Sequence, residues 1–295
     1  MEYFESHPSA HVNLTKKTFH CKVCQQGHNE LSLIRAELQC TYSTAMKIAK
    51  AFDNAEDLQE WNTATTLPEA NVALAEQFQI KKEVLDELHV RGRSADSLLF
   101  PVFMFGKLLD IRTYTPGAGA NKIKSRAGSP SGLIIPFDLW QASPKSRVTV
   151  ICAGEKDMAV ARSFGFNAIT ITGGENSLPA SPMWFQGRDV VILYDHDDAG
   201  ILGAHRLAAY LLEYCHTIKV CTSFHEVCRE DREDITDFFN KYHGTKQMLI
   251  GYMDNTPYYT KEDCVVHSNV PFLTLQQATM PSNVNKLVRS NIQVT

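Results

Sequence analysis

Four short apolar runs set the pattern of the chain's middle, at residues 147–153, 166–172, 189–194 and 217–222. They are nearly continuous in Val, Ile, Ala and Thr instead of alternating with polar residues. That predicts strands buried on both faces. Helical spacing fills two of the gaps, at residues 156–164 and 199–214. Strands alternating with helices predict a parallel sheet covered on both sides, with ligands beyond the carboxyl ends of its strands.

The pattern differs upstream. Residues 98–105 and 108–114 read as two strands joined at Gly106-Lys107, followed by a stretch to residue 132 rich in Gly, Ser and Pro. Before them, Leu31, Ile34 and Leu38, then Ala45, Ile48, Ala49 and Phe52, recur at helical spacing, with Ser43 placed to cap the second helix. Residues 68–77 and 81–89 predict two more short helices. Near the start, residues 11–14 and 18–21 predict two strands around a Thr15-Lys16-Lys17 turn. After residue 240 the pattern weakens to a helical or extended tail with a strand at 290–294, as if another domain should follow. The predicted partition is 1–41, 42–96, 97–145, 146–240 and 241–295.

Composition changes this picture little. A hydrophobic fraction of 44% and a charged fraction of 21% suit a soluble globular protein. The net charge of −4 does not itself point to nucleic acid, but it hides a local patch. Between Gly106 and Arg126, Lys107, Arg112, Lys122, Lys124 and Arg126 face only Asp110. No stretch approaches the ~18 apolar residues of a membrane span, and residues 1–20 lack the apolar core of a signal peptide. Eight cysteines without a disulfide-framework spacing fit a reduced, cytoplasmic setting. Trp61, Trp140 and Trp184 read as packing residues, and Cys40 as a small buried one.

The candidate chemistry sits where two strands end. The first run stops at Gly154-Glu155-Lys156-Asp157 and the third at Asp195-His196-Asp197-Asp198-Ala199-Gly200. Carboxylates gathered at strand ends repel one another unless a divalent cation lies between them. Hard oxygen ligands suit Mg²⁺ or Mn²⁺ working with substrate phosphates. Gly154 would let the chain turn before Glu155, and Gly200 would let the next helix start close by. The competing reading is that these acids merely favour helix N-termini. It accounts for Asp157 and Asp198 but poorly for Glu155, Asp195 and Asp197 together. His196, between the two aspartates, is expected to point away from them.

Glu155 within A-G-E-K-D-M, D-H-D-D-A-G at 195–200 and the strand–helix alternation between them resemble the Toprim domain of bacterial and phage primases, topoisomerases and related nucleases. The resemblance covers about 95 residues. It implies an α/β fold with a parallel, Rossmann-like sheet. It places the family's glutamate on Glu155 and its two D-x-D aspartates on Asp195 and Asp197. The flanks resemble primases in particular. Residues 97–140, with Pro101 before a strand, are similar to the basic α+β subdomain that precedes Toprim there. The resemblance implies that Arg112, Lys122, Lys124, Arg126 and Lys156 meet template and nucleotide phosphates. Asp234-Ile235-Thr236-Asp237 resembles the family's K-D-x-x-D element, with Glu233 where lysine is usual, and suggests Asp234 as a further metal ligand. Cys21-x-x-Cys24 resembles the second half of a primase zinc ribbon. The residues that should carry the first ligand pair are missing, so the chain is truncated, the site is lost, or His7 and His11 complete a Zn²⁺ site.

These likenesses together imply a DNA primase of a phage or mobile element in a bacterial cell. It would join ribonucleoside triphosphates on single-stranded DNA beside a replicative helicase, itself absent here because no Walker A motif occurs. Two alternatives remain: a Toprim nuclease, and a non-catalytic nucleic-acid-binding module of a replisome.

Overall fold

The computed structural model describes residues 10–266 apart from 14, 22–26, 54, 58, 60, 63–64, 120–121, 229 and 231. His7, Cys24 and the expected strand at 290–294 lie outside these.

The chain begins with a three-stranded antiparallel sheet of β1 (Ala10–Asn13), β2 (Thr18–Cys21) and β3 (Gly27–Asn29). His11 lies opposite His20, and Cys21 ends β2 half-buried. Asn29 caps α1 (Glu30–Leu38) by accepting the Ser32 N–H. The next helix, α2 (Tyr42–Asp53), is capped by Thr41, not the expected Ser43: the Thr41 hydroxyl takes the Thr44 N–H at 3.2 Å. Cys40 is half-buried, not buried.

The second sheet has the order β4 (Glu56–Asp57), β7 (Lys107–Tyr114), β6 (Leu98–Met104), β5 (Arg91–Gly92). β6 and β7 form the expected hairpin, and Trp61, Leu99 and Leu108 fill the core on the sheet. Pro101 lies within β6, which matches the predicted strand 98–105, and ahead of β7. It sits past Leu99, the last β6 residue that pairs with β5, and proline is tolerated at such an edge. The Gly-rich stretch also contains a strand, β8 (Ile123–Lys124), paired with the end of β7. Asp110, fully buried, explains why this stretch holds its shape. One of its oxygens accepts the N–H groups of Ile111 and Arg126 and the Ser129 hydroxyl.

The third sheet carries the alternating segment. Its order is β13 (Thr217–Val220), β12 (Asp189–Leu193), β10 (Thr149–Cys152), β11 (Asn167–Ile171), β9 (Ile134–Ile135). The first four are parallel, and every residue of β10 and β11 is buried. β9 adds an antiparallel edge. Between these strands lie α3 (Glu155–Ser163) and α4 (Asp198–Leu211). Trp140 is fully buried under this sheet: its indole N–H reaches the Thr149 hydroxyl at 3.0 Å, and the Arg188 guanidinium lies 4.4 Å over its ring. Trp184 is half-buried against Phe137.

Two helices follow, α5 (Ile235–Asn240) and α6 (Lys246–Asn255). Residues 246–259 continue the packing of this sheet: Leu249 is fully buried, and the Tyr259 N–H reaches the Ile218 carbonyl at 2.8 Å. The described residues after Tyr259 belong to a second unit, which contains the helix Lys261–Val266. No helix among the described residues is long and apolar enough to cross a membrane.

Candidate metal centre

Three loops deliver the acids to one rim of the parallel sheet. After β10 the chain turns at Gly154 into α3, which puts Asp157 in the first turn of that helix. After β12 it runs through Asp195 to α4. Asp234 caps α5 through a reciprocal pair of bonds with Asp237 and accepts the Thr236 N–H at 2.8 Å. The backbone of His196 pins two of these loops together: its N–H reaches the Glu233 carbonyl at 2.8 Å, and its carbonyl takes the Arg232 N–H at 2.9 Å. Asp195 is thereby held beside Asp234. The Thr236 hydroxyl donates to Asp157 at 2.6 Å, and Phe164 stacks on Phe239 with centroids 3.7 Å apart. These contacts fix α3 against α5.

One carboxylate oxygen from each of Asp157, Asp195 and Asp234 lies within 4.8 Å of the other two. Two oxygens on opposite sides of an octahedral Mg²⁺, each at ~2.1 Å, stand ~4.2 Å apart, so side-chain shifts of about half an ångström would let the three oxygens share one ion. Burial raises the Asp157 and Asp195 carboxyls well above the ordinary carboxylate range, and the neighbouring carboxylates raise them further. Mutual repulsion of this kind is what a divalent cation relieves. Glu175, half-buried after β11, shares a hydrogen bond with Asp195, and the same two causes raise its carboxyl. The donor set is therefore all oxygen and crowded with charge, as a hard cation requires.

α4 sits unusually close to these loops. A methyl group on Gly200 would lie 2.3 Å from the Asp195 carbonyl oxygen, and one on Gly203 would lie 2.6 Å from that of Glu175. Glycine at both positions lets the helix rest on the backbone that carries the acids. Gly154, by contrast, is extended (φ −138°, ψ 171°), a conformation open to any residue, so no sharp turn there needs glycine.

The expected residues occupy different places. Asp195 and Asp234 are in the triad. Glu155 is buried in the same first turn of α3 as Asp157 but is bonded at 2.6 Å to Arg112 of β7. Asp197 caps α4 by accepting the Gly200 N–H at 2.7 Å. Asp157, which a sequence reading assigns to the helix N-terminus, is the third acid. Lys156 turns its amine inward, 2.7 Å from Asp234 and 3.3 Å from Asp157, and their charges raise its pKa against the opposing effect of burial. Glu233 accepts from Lys241 and from the Tyr242 hydroxyl. His196 stacks on His225 and donates to the Cys228 carbonyl, in keeping with its expected outward direction. Neither Asp157 nor Glu175 carries a distinctive sequence signal. Only their positions after β10 and β11 mark them.

Cationic side chains rim the acids. Arg112 also donates to Ser125 of the neighbouring loop. Lys122, Lys124 and Arg126 are exposed, and the Lys122 charge acts on Asp195 and Glu175. The edge of the second sheet therefore borders the acidic rim with positive charge.

No protein-family model matches the sequence, and no curated protein matches it. Solved structures do match. The Aquifex aeolicus primase, in its zinc-binding and RNA polymerase domains, is 13% identical, with a TM-score of 0.52 over 87% of this chain and 77% of its own. The DnaG catalytic core is 14% identical, with a TM-score of 0.53 over 68% of this chain and 78% of its own. At such identities the likeness is one of fold. The chain has the fold of a Toprim-type primase.

Proposed function

We propose that this chain is a DNA primase that joins ribonucleotides into short RNA primers on single-stranded DNA. The observation that carries this reading is the convergence of Asp157, Asp195 and Asp234 within 4.8 Å at the carboxyl rim of the sheet, beside a cationic strand edge. Mg²⁺ or Mn²⁺ bound there would supply neutralisation of triphosphate charge and lower the pKa of the attacking hydroxyl. The three aspartates would hold the ion, with Glu175 and Asp197 adding negative potential around it. Lys122 and Lys124 attract template or nucleotide phosphates through sequence-independent charge. Arg112 orients Glu155 and the loop at Ser125. Catalysis of this kind rests on positioning and preorganised charge.

The N-terminal three-stranded sheet supports a zinc-ribbon-like module, with Cys21, Cys24, His7 and His11 as its ligands, and the Aquifex structure includes a zinc-binding domain. Metal analysis of the purified chain should then return one zinc per molecule. A replicative helicase partner and a cytoplasmic setting belong to the same reading.

The test is an incubation with single-stranded DNA, four ribonucleotides and Mg²⁺ or Mn²⁺. Labelled RNA of short, defined length is expected. Asp195→Asn combined with Asp234→Asn should lower its yield by at least ~10²-fold, the scale on which preorganised charge acts, with DNA binding kept. Shortened DNA instead of new RNA would make the protein a nuclease. Salt-sensitive binding without either product would make it a non-catalytic module.

A further inference from the structure

An ammonium group stands between two of the three acids. Lys156 lies directly before Asp157 in the first turn of α3, and its side chain is only 17% exposed. Its Nζ is 2.7 Å from an Asp234 oxygen and 3.3 Å from an Asp157 oxygen, so it bridges two of the three acids of the triad. Neither its place nor its partners are left to chance. Asp157 is fixed by the Thr236 hydroxyl, Asp234 by the cap of α5, and the two helices by the Phe164–Phe239 stack.

Charge counting gives this position a consequence. With all three aspartates ionised, as cation binding requires, the Lys156 ammonium offsets one of their three charges and leaves the triad itself with the charge that one divalent ion matches. Two-metal sites place their ions ~3.5–4 Å apart. A second dication that close would have to share the Asp157–Asp234 space with a compact, strongly hydrated point charge of the same sign. Asp195, which forms no salt bridge with Lys156, is left as the acid able to lead coordination of a single ion.

We propose that Lys156 is a built-in cation that fills the second ion position between Asp157 and Asp234, so that the site takes one divalent ion instead of two. The proposal rests on the reading of the acidic rim as a cation site. Lys156 acts as a positioning residue: it sets how many ions the aspartates hold and keeps α3 and α5 cross-linked before an ion arrives.

The experiment is a count of bound Mn²⁺ on the full chain by electron paramagnetic resonance, with the Asp157→Asn, Asp195→Asn, Asp234→Asn triple variant as background. One ion above background is expected for the wild type and for Lys156→Arg, which keeps the charge. Two are expected for Lys156→Gln. Two ions in the wild type, or one in a folded Lys156→Gln, would overturn the proposal while leaving the cation site standing. No ion in either chain would remove the cation site and the proposal together. If Lys156→Gln does not fold, the wild-type count decides, with Lys156→Met as the second neutral variant.

Discussion

At the residue scale, the Arg112–Glu155 pair shows how burial decides a side chain's role. Glu155 is 3% exposed and Arg112 12%, and they meet at 2.6 Å. Removing one partner strands a buried charge, which typically costs ~3–5 kcal/mol, whereas replacing both with apolar groups is often neutral. Arg112→Met alone should therefore destabilise the chain by ~3–5 kcal/mol in urea unfolding, and Arg112→Met with Glu155→Leu should recover most of it. A loss below ~1 kcal/mol for the single change would show that the pair is solvated. His225 makes the pH prediction. It is buried and donates to the Tyr194 carbonyl, and burial lowers its pKa to about 4 from a free value near ~6.5. The unfolded chain thus takes up a proton that the folded chain refuses. The stability from this group is complete above about pH 6.5 and is lost as pH falls toward 4, at no more than ~1.4 kcal/mol per pH unit. His225→Gln should flatten melting temperature against pH in that window, and an unchanged slope would rule out a neutral buried imidazole.

Sequence legibility also divides at this scale. Asp195 stood out because a carboxylate directly after an apolar run has few structural excuses. Asp157 did not, because an acid in a helix's first turn is what the helix dipole favours anyway. Glu155 looked equivalent to Asp195 by position. Its partner Arg112 is 43 residues earlier and on a different sheet, and no local pattern announces such a contact. Asp197 looked like a ligand for the same reason, and in the structure it serves α4 as a cap.

At the element scale, the doubly buried strands were the most readable part. Four continuous apolar runs became four neighbouring parallel strands, with bounds displaced by at most two residues at either end. Two-residue strands such as β8 and β9 were not readable, since two residues hold no periodicity. The close approach of α4 carries its own prediction. Gly200→Ala would place a methyl 2.3 Å from the Asp195 carbonyl oxygen, so the helix start or the loop must move. Overpacking of this kind costs ~1–3 kcal/mol, and Mg²⁺ binding should weaken with it. Gly251→Ala in α6 is the control: nothing lies within 4 Å of its added carbon, and the change should stabilise by up to ~1 kcal/mol. Equal effects of both changes in thermal melts would contradict the close-approach argument.

At the scale of the whole molecule, an acidic chain presents a cationic edge next to an acidic rim. The net charge of −4 conceals this, because the two charge populations come from different sheets and meet only in the fold. The primase-type fold supplies both sheets, and on the proposed function their meeting point is where a nucleotide's phosphates and a metal ion would be held together. The most direct measurement is anomalous diffraction from a crystal of the chain soaked in Mn²⁺. The account predicts a single strong peak within coordination distance of Asp157, Asp195 and Asp234, with the Lys156 amine still bridging Asp157 and Asp234. A peak elsewhere on the described surface, or none at this rim, would contradict it.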